Sequence, residues 1–249
     1  MIITKCPICG SENLEYSQNI FCICNACSHV FKNETVDSDI YRNYVSSAHM
    51  KRTPKHVENC NRAVNGRFKL FSIFAKKGKT LEVGCGHKYF LDKLKENGYE
   101  PEGTELSEAL IREISHKIWY GNPSEIEELS VYSNICAFHV LEHMNEPIKE
   151  IRCLVEHLEE DGIFMLELPT LIMFGKELNM KGCYAREHVQ YFTQTSLMEM
   201  FNICNLIPII QINSWQGNSC VTTVCAVKKG KYVEKMKEKC IKYLYPDEI

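Results

Sequence analysis

Two pairs of thiols, a glycine turn, one acid and a handful of histidines are the residues of this sequence that could do chemistry. Cys6 and Cys9 flank Pro-Ile, and Cys24 and Cys27 flank Asn-Ala, with 14 residues between the pairs. Each pair sets two thiolates on a tight turn, so the four together predict a tetrahedral Zn2+ site with no open position, structural rather than catalytic. Cys22 and His29 are the alternative ligands, but the matched spacing favours Cys24 and Cys27.

The second constellation is Leu-Glu82-Val-Gly84-Cys-Gly86, followed 21 residues after Gly84 by Glu105. Glycines at a strand end let the chain bend sharply and let a ligand approach the backbone, while an acid closing the next strand can accept hydrogen bonds from two ribose hydroxyls. A dinucleotide fingerprint would place a third glycine at position 89, where this chain has Tyr89. The turn therefore leans toward S-adenosylmethionine, a nucleoside without a pyrophosphate. His87, His139, His143 and His188 are the groups that titrate in the useful range.

The elements that must position these groups follow from periodicity. Strand-like segments at residues 80–83, 99–104, 118–120, 135–138 and 163–168 alternate with helical patterns such as Phe90, Leu91, Leu94 and Ile148, Ile151, Leu154, Val155, Leu158. A third helical pattern runs through Leu110, Ile111, Ile114 and Ile118. Such alternation predicts an α/β fold with a parallel sheet covered on both faces. A helix over 194–205 then leads to two β-rich runs, 207–212 and 219–227, joined by a loop holding Trp215, Gly217 and Asn218 and read as an antiparallel pair at the sheet edge. Residues 33–75 read as helical and polar, broken at Pro54, joining the cysteine module to the main domain and covering the site. The domain plan is a ribbon at 1–32, a connector at 33–75 and a core at 76–249.

At 249 residues, with 45% apolar and 24% charged residues, the chain is an ordinary globular protein. No apolar run reaches membrane-spanning length, and the N-terminus lacks a signal-peptide layout. The cytoplasm is the expected compartment, where 14 cysteines stay reduced. Five lie in the first 27 residues; Cys136, Cys153, Cys204 and Cys225 read as small buried side chains. The net charge of -3 hides a basic front: residues 1–80 hold 12 Lys/Arg against 6 Asp/Glu, the remainder 17 against 26. A basic front can greet an anionic partner, such as a phosphate-bearing metabolite or RNA.

Leu-Glu-Val-Gly-Cys-Gly, Glu-Gly-Thr-Glu105-Leu-Ser, Gly121-Asn-Pro, Phe138-His-Val-Leu-Glu-His143 and Leu166-Glu-Leu-Pro169 occur in the order of class I S-adenosylmethionine-dependent methyltransferases, which residues 76–230 resemble. The resemblance implies a Rossmann-like seven-stranded sheet with an antiparallel last strand. It also implies site roles. Glu82, Gly84 and Gly86 would surround the amino-acid half of the cofactor, Glu105 the ribose, Leu106 and Asn122 the adenine, and His139 the methionine part. The cysteine module plus Glu187-His188-Val-Gln-Tyr-Phe-Thr is similar to sugar and polysaccharide-pathway methyltransferases. The sugar C-methyltransferases continue into a large further domain and this sequence ends at Ile249, so transfer to oxygen is favoured over carbon, with transfer to nitrogen left open. His188 is the candidate base, with Glu187 or Glu142 orienting it and His143 as second choice. Residues 171–191 are expected to form a lid, with Tyr41 and Tyr44 as a further wall. The acceptor is expected to be a small, anionic or sugar-containing metabolite. The alternative is an RNA methyltransferase whose ribbon and basic front hold nucleic acid, which sparse ribbon aromatics and the net negative charge disfavour.

Overall fold

The computed structural model describes residues 3–17, 20–37, 42, 53–171, 187–216 and 219–244. Strands β1 (Leu14–Ser17), β2 (Phe21–Cys24) and β3 (Val30–Lys32) form an antiparallel meander that carries the cysteines. Helix α1 (Pro54–Phe74) begins at Pro54, where an interruption was expected, since a missing N–H is harmless in a first turn. Thr53 caps it, accepting from the His56 N–H at 3.2 Å. Tyr41, Tyr44 and residues 172–186 of the expected 171–191 lid lie outside the described residues, while the ends of that segment, Leu171 and Gln190–Tyr191, belong to strands.

The alternating half then runs β4 (Lys79–Val83), α2 (Tyr89–Glu96), β5 (Glu100–Glu105), α3 (Glu108–Ile111), β6 (Lys117–Tyr120), β7 (Tyr132–Phe138), α4 (Pro147–Glu156) and β8 (Leu158–Leu171). It closes with β9 (Gln190–Thr193), α5 (Gln194–Ile203), β10 (Leu206–Gln216), β11 (Ser219–Lys228) and α6 (Val233–Leu244). The main sheet has the order β6-β5-β4-β7-β8-β11-β10, with the first five parallel, β11 antiparallel to β8 and β10 antiparallel to β11. This is the expected seven-stranded Rossmann-like sheet. One face is covered by α1, α2 and α6, where Phe71, Phe74 and Phe90 are buried, and the other by α4, α5 and the cysteine ribbon. Cys136, Cys204 and Cys225 are buried and Cys153 half-buried, as small apolar groups.

Three local expectations give way. The pattern through Ile118 yields only one helical turn, because Ile118 is used in β6 opposite Gly103. A Cβ on Gly103 would meet Ile118 Cδ1 at 2.9 Å and Cys85 Sγ at 2.8 Å, so strand and turn close over that glycine. Trp215 belongs to β10, paired with Cys220, and not to a loop. Strand β8 starts earlier and ends later than its apolar centre. Its polar start is held by Lys76, which ion-pairs with Glu159 and Asp161.

The far end of β8 overhangs β7 and pairs in parallel with β9 (Thr170 with Phe192), and β9 pairs with β3 (Val30 with Tyr191). The ribbon is thus stitched into the main sheet. His29 locks this seam: its Nε2–H donates to Gln190 Oε1 at 2.8 Å, and its Nδ1 lies 3.2 Å from Ser196 Oγ. Burial pulls its pKa down to about 4 against the bond to Gln190, so the ring is neutral, and it is not a metal ligand. Gln190 Nε2 donates in turn to the carbonyls of Met144 (2.9 Å) and Asn145 (3.3 Å). Gln190→Leu strands His29 and the Met144 carbonyl in a dry site, and we expect it to cost about 1–3 kcal/mol. The check is a urea unfolding curve, where an unchanged midpoint would show that the seam does not depend on this side chain.

Candidate active site

The glycine turn joins β4 to α2. Gly84 (φ +63°) and Gly86 (φ +52°) both occupy the left-handed region. A Cβ on Gly84 would stand 2.7 Å from Val140 Cγ2, whereas one on Gly86 would meet only open space. Gly86 N–H donates to Glu105 Oε2 at 2.9 Å, and Leu106 and Ser107 N–H donate to Glu105 Oε1 at 2.8 and 2.9 Å. Three backbone amides therefore fix the carboxylate at the end of β5, and its remaining lone pairs face the cavity. Glu82 lies under the turn, where burial pushes its carboxyl up to about 8; Arg67 draws it down and Glu105 adds to the rise. Burial thus biases Glu82 toward its neutral form.

His139 has φ +55°, a conformation that an L-residue holds only when its surroundings compel it. Its N–H donates to the Glu167 carbonyl at 2.7 Å. Its ring lies between two carboxylates, Nδ1 3.3 Å from Glu142 Oε1 and Nε2 3.2 Å from Glu167 Oε1. Burial alone would lower its pKa, but the two carboxylates outweigh it and hold the ring cationic, up to about 9. Glu167 also accepts from Arg67 Nε (2.9 Å) and Nη2 (2.5 Å) and from Thr223 Oγ1 (3.0 Å). Burial works against its charge, yet His139 and Arg67 hold it down to about 2.

A 3-10 turn at Leu141–His143 carries the next wall. Glu142 is wholly buried, and neither carboxylate oxygen has a hydrogen-bond partner among the described residues. Its ionisation is opposed by burial and restored by His139 and His143. His143 Nδ1–H donates to the Glu187 carbonyl at 3.2 Å, and its ring stands edge-on to His188, 4.9 Å between centroids. Tyr191 O–H donates to the His188 carbonyl at 3.0 Å, and Val189 N–H donates to the Glu142 carbonyl at 2.8 Å. These bonds draw β9 onto the turn.

A cavity of about 530 Å³, within the usual range for a small-molecule site, lies between these parts. Gly84, Glu105 and Leu106 form one wall, Gly121, Asn122 and Pro123 another, and His139, His143 and Glu187 a third. Of the residues singled out from the sequence, Gly84, Glu105, Leu106, Asn122, His139, His143 and Glu187 line it together. Gly86 borders it through the Glu105 bond, and Glu82 lies beneath. His188 stands behind His143 and is not among the lining residues described. Arg67 and Glu167 were missed as site residues. Arg67 comes from a helix 100 positions away with no local signal. Glu167 had one: an acid amid Phe164-Met-Leu must find a partner when buried.

Cys6, Cys9, Cys24 and Cys27 bring their sulfurs within 4.8 Å of one another, with Cys6–Cys27 at 3.6 Å and Cys9–Cys24 at 3.5 Å. Zn–S bonds of about 2.3 Å in a tetrahedron put sulfurs roughly 3.8 Å apart, so the set fits that ion. The two turns match: Gly10 N–H donates to the Cys6 carbonyl and Ser28 N–H to the Cys24 carbonyl, with Gly10 and Ser28 both left-handed. Cys22 is buried elsewhere in the ribbon and is not part of the cluster.

Strand order, glycine turn and ribose-competent acid together define a Rossmann-like methyltransferase fold. Solved structures agree on that fold. The Burkholderia thailandensis 1,6-didemethyltoxoflavin-N1-methyltransferase, with bound 1,6-didemethyltoxoflavin and S-adenosylhomocysteine, is similar at 15% identity and a TM-score of 0.62, over 88% of this chain and 100% of that one. Magnesium protoporphyrin IX methyltransferase from Synechocystis PCC 6803, with bound S-adenosylhomocysteine, is similar at 13% identity and 0.59, over 77% and 100%. A Clostridium acetobutylicum S-adenosylmethionine-dependent methyltransferase gives 9% and 0.56, over 74% and 98%. No curated protein sequence matches the chain. The family model described as a methyltransferase domain matches residues 56–206, and the chain belongs to that family.

The Arg67–Glu167 pair yields a stability test. Arg67→Met leaves a largely buried carboxylate short of its guanidinium, with an expected loss of about 3 kcal/mol, the low end for a broken buried pair. Thermal or chemical unfolding checks it, and a variant as stable as the parent would mean that His139 and Thr223 suffice.

Proposed function

We propose that this enzyme transfers the methyl group of S-adenosylmethionine to a hydroxyl of a small, sugar-containing metabolite. The observation that carries the reading is the geometry of the cavity: the turn and fixed acid at one end, and at the other His143 and Glu187, with His188 edge-on against His143. Glu105 would take the ribose hydroxyls, Leu106 and Asn122 the adenine, and Gly84, Gly86, Glu82 and His139 the methionine part. The sulfonium supplies an electrophilic methyl group. The chain's part is to align an oxygen with it, exclude water and remove the hydroxyl proton. His188, with His143 in front and Glu142 and Glu187 beside it, is the group we assign to activating that oxygen.

The lining favours a hydroxyl-rich acceptor over a phosphorylated one. Glu146 and Glu187 accept hydrogen bonds from sugar hydroxyls, whereas Lys149 is the one lysine among the lining residues described, which hold no arginine. That composition also gives an RNA backbone little to bind, which disfavours RNA as the acceptor. We further propose that the four cysteines hold a structural Zn2+, which keeps β3 in place beside β9. Among the described residues no helix is long and apolar enough to cross a membrane. A cytoplasmic location suits a chain so rich in thiols.

Titration calorimetry with S-adenosylhomocysteine, with NAD as control, tests the cofactor. Glu105→Ala should weaken binding by roughly tenfold or more, the loss of about one to two charged hydrogen bonds. Binding of NAD alone would sink the reading. His188→Ala should keep cofactor affinity and lower turnover on sugar acceptors about a hundredfold or more; full turnover would remove His188 from the chemistry. Metal analysis after dialysis against a mild chelator should find one zinc per chain, lost in Cys24→Ser.

A further inference from the structure

We infer that Arg42, from the connector between the ribbon and α1, is a positioning residue for the adenine of the cofactor: through Glu125 it sets the Asn122 amide that reads the exocyclic amino group. The role rests on the S-adenosylmethionine reading above, in which Asn122 meets the adenine.

The contact joins distant parts of the chain. Arg42 Nη2–H donates to Glu125 Oε2 at 3.0 Å, 83 positions on, and the guanidinium lies over the Tyr120 ring, 5.1 Å from its centroid. Tyr120 ends β6 opposite Glu105 on β5, and the Gly121 N–H donates to the Glu105 carbonyl at 3.2 Å. Arg42 is therefore seated beside the turn that joins the ribose acid to the adenine wall. Val36, earlier in the same connector, is tied to Asn145, another residue of the cavity lining.

Glu125 is built to pass that contact on. It ends the 3-10 turn Pro123–Glu125, and its carboxylate folds back over the residues that precede it. Oε2 accepts from the Asn122 N–H at 2.9 Å, while the Asn122 carbonyl accepts from the Glu125 N–H at 2.9 Å. The fold-back needs the glycine: a Cβ on Gly121 (φ +131°) would press on Oε2 at 3.2 Å. Burial works against the Glu125 charge, yet the Asn122 N–H and Arg42 hold the carboxyl below its usual range. The Asn122 side chain bonds to the same carboxylate. An ionised carboxylate only accepts, so the amide turns its NH2 to Glu125 and keeps Oδ1 for a donor in the cavity. The adenine amino group is such a donor; the carbonyl that hypoxanthine carries at that position is not.

The exposure of the pair shows what the arginine is for. The Arg42 and Glu125 side chains are 24% and 44% exposed, and such a pair adds little to stability. Its effect is orientation. A planar guanidinium held on an aromatic ring fixes where the carboxylate oxygen stands, and without it Glu125 would turn toward water. The amide then loses its bias, and either of its faces can meet the base.

The test is titration calorimetry of the full chain with S-adenosylhomocysteine and with S-inosylhomocysteine, in which a carbonyl replaces the amino group. The parent should prefer the first ligand by about tenfold or more, the worth of one correctly met donor. Arg42→Met and Glu125→Gln should each weaken S-adenosylhomocysteine by about five- to tenfold and the inosine analogue by less than about twofold, so the preference collapses. Arg42→Lys, which keeps the charge without the planar fork, should fall between. Equal losses for both ligands would make Arg42 a general brace, and a parent-like ratio in Arg42→Met would remove it from adenine reading. Either overturns the assignment, as does a parent that binds the two ligands equally. Should Arg42→Met fail to fold, the ratio in Glu125→Gln decides. A parent that binds neither ligand sinks the S-adenosylmethionine reading and this role with it. Variants that discriminate as well as a discriminating parent sink this role alone.

Discussion

Glu167 carries a carboxylate into an apolar strand, and the burial of that charge organises the site. Isolated, the ion would be expelled or protonated; here Arg67, His139 and Thr223 converge on it from α1, the β7 end and β11. Three elements distant in sequence are thereby oriented about one point at the carboxyl end of the sheet. The backbone of His139 is held at positive φ by the same residue, through the Glu167 carbonyl. That kink sends the chain directly into the turn bearing Glu142 and His143. The cavity wall is thus set by the need to neutralise a charge as much as by the packing of the sheet.

The ribbon is the second organiser. Its third strand, β9 and the overhang of β8 form one continuous ladder, and Gln190 bridges His29 to the carbonyls beside the cavity. Asn145 adds a reciprocal pair with the Val36 backbone, 2.7 Å from Nδ2 to the carbonyl and 3.0 Å from Val36 N–H to Oδ1. The cysteine ribbon is therefore tied to the His143 side of the cavity through a short hydrogen-bonded path.

Much of this was legible in the sequence where the signal is local. Gly84, Gly86 and Glu105 announce a turn and an acid because only a few residue types can fill those roles, and the apolar periodicity around Phe90 and Ile151 fixes helices on both faces. The cysteine pairs were equally plain. Partners that meet only in three dimensions were not. Nothing near Arg67 points to Glu167, and nothing near Val30 points to Tyr191. Pro54 marked an element boundary in the sequence, and the capping Thr53 makes it a helix start. The polar opening of β8 hid a strand whose acids are neutralised by Lys76. His188 showed its type in the sequence; its place behind His143 depends on β9, which no periodicity foretells.

The pairing of Val30 with Tyr191 joins residues 161 positions apart across the chain. A ribosome adding about 5–20 residues per second delivers the second partner roughly ten to thirty seconds after the first. For that interval the ribbon is a finished hairpin with one naked edge, carrying four thiols close enough to be cross-linked wrongly or to seize a metal. Early metal capture would keep those thiols occupied while the edge waits. Closure of the sheet, a pairing of long sequence separation, comes last, and the cavity is complete only when the newest strands reach back to the oldest.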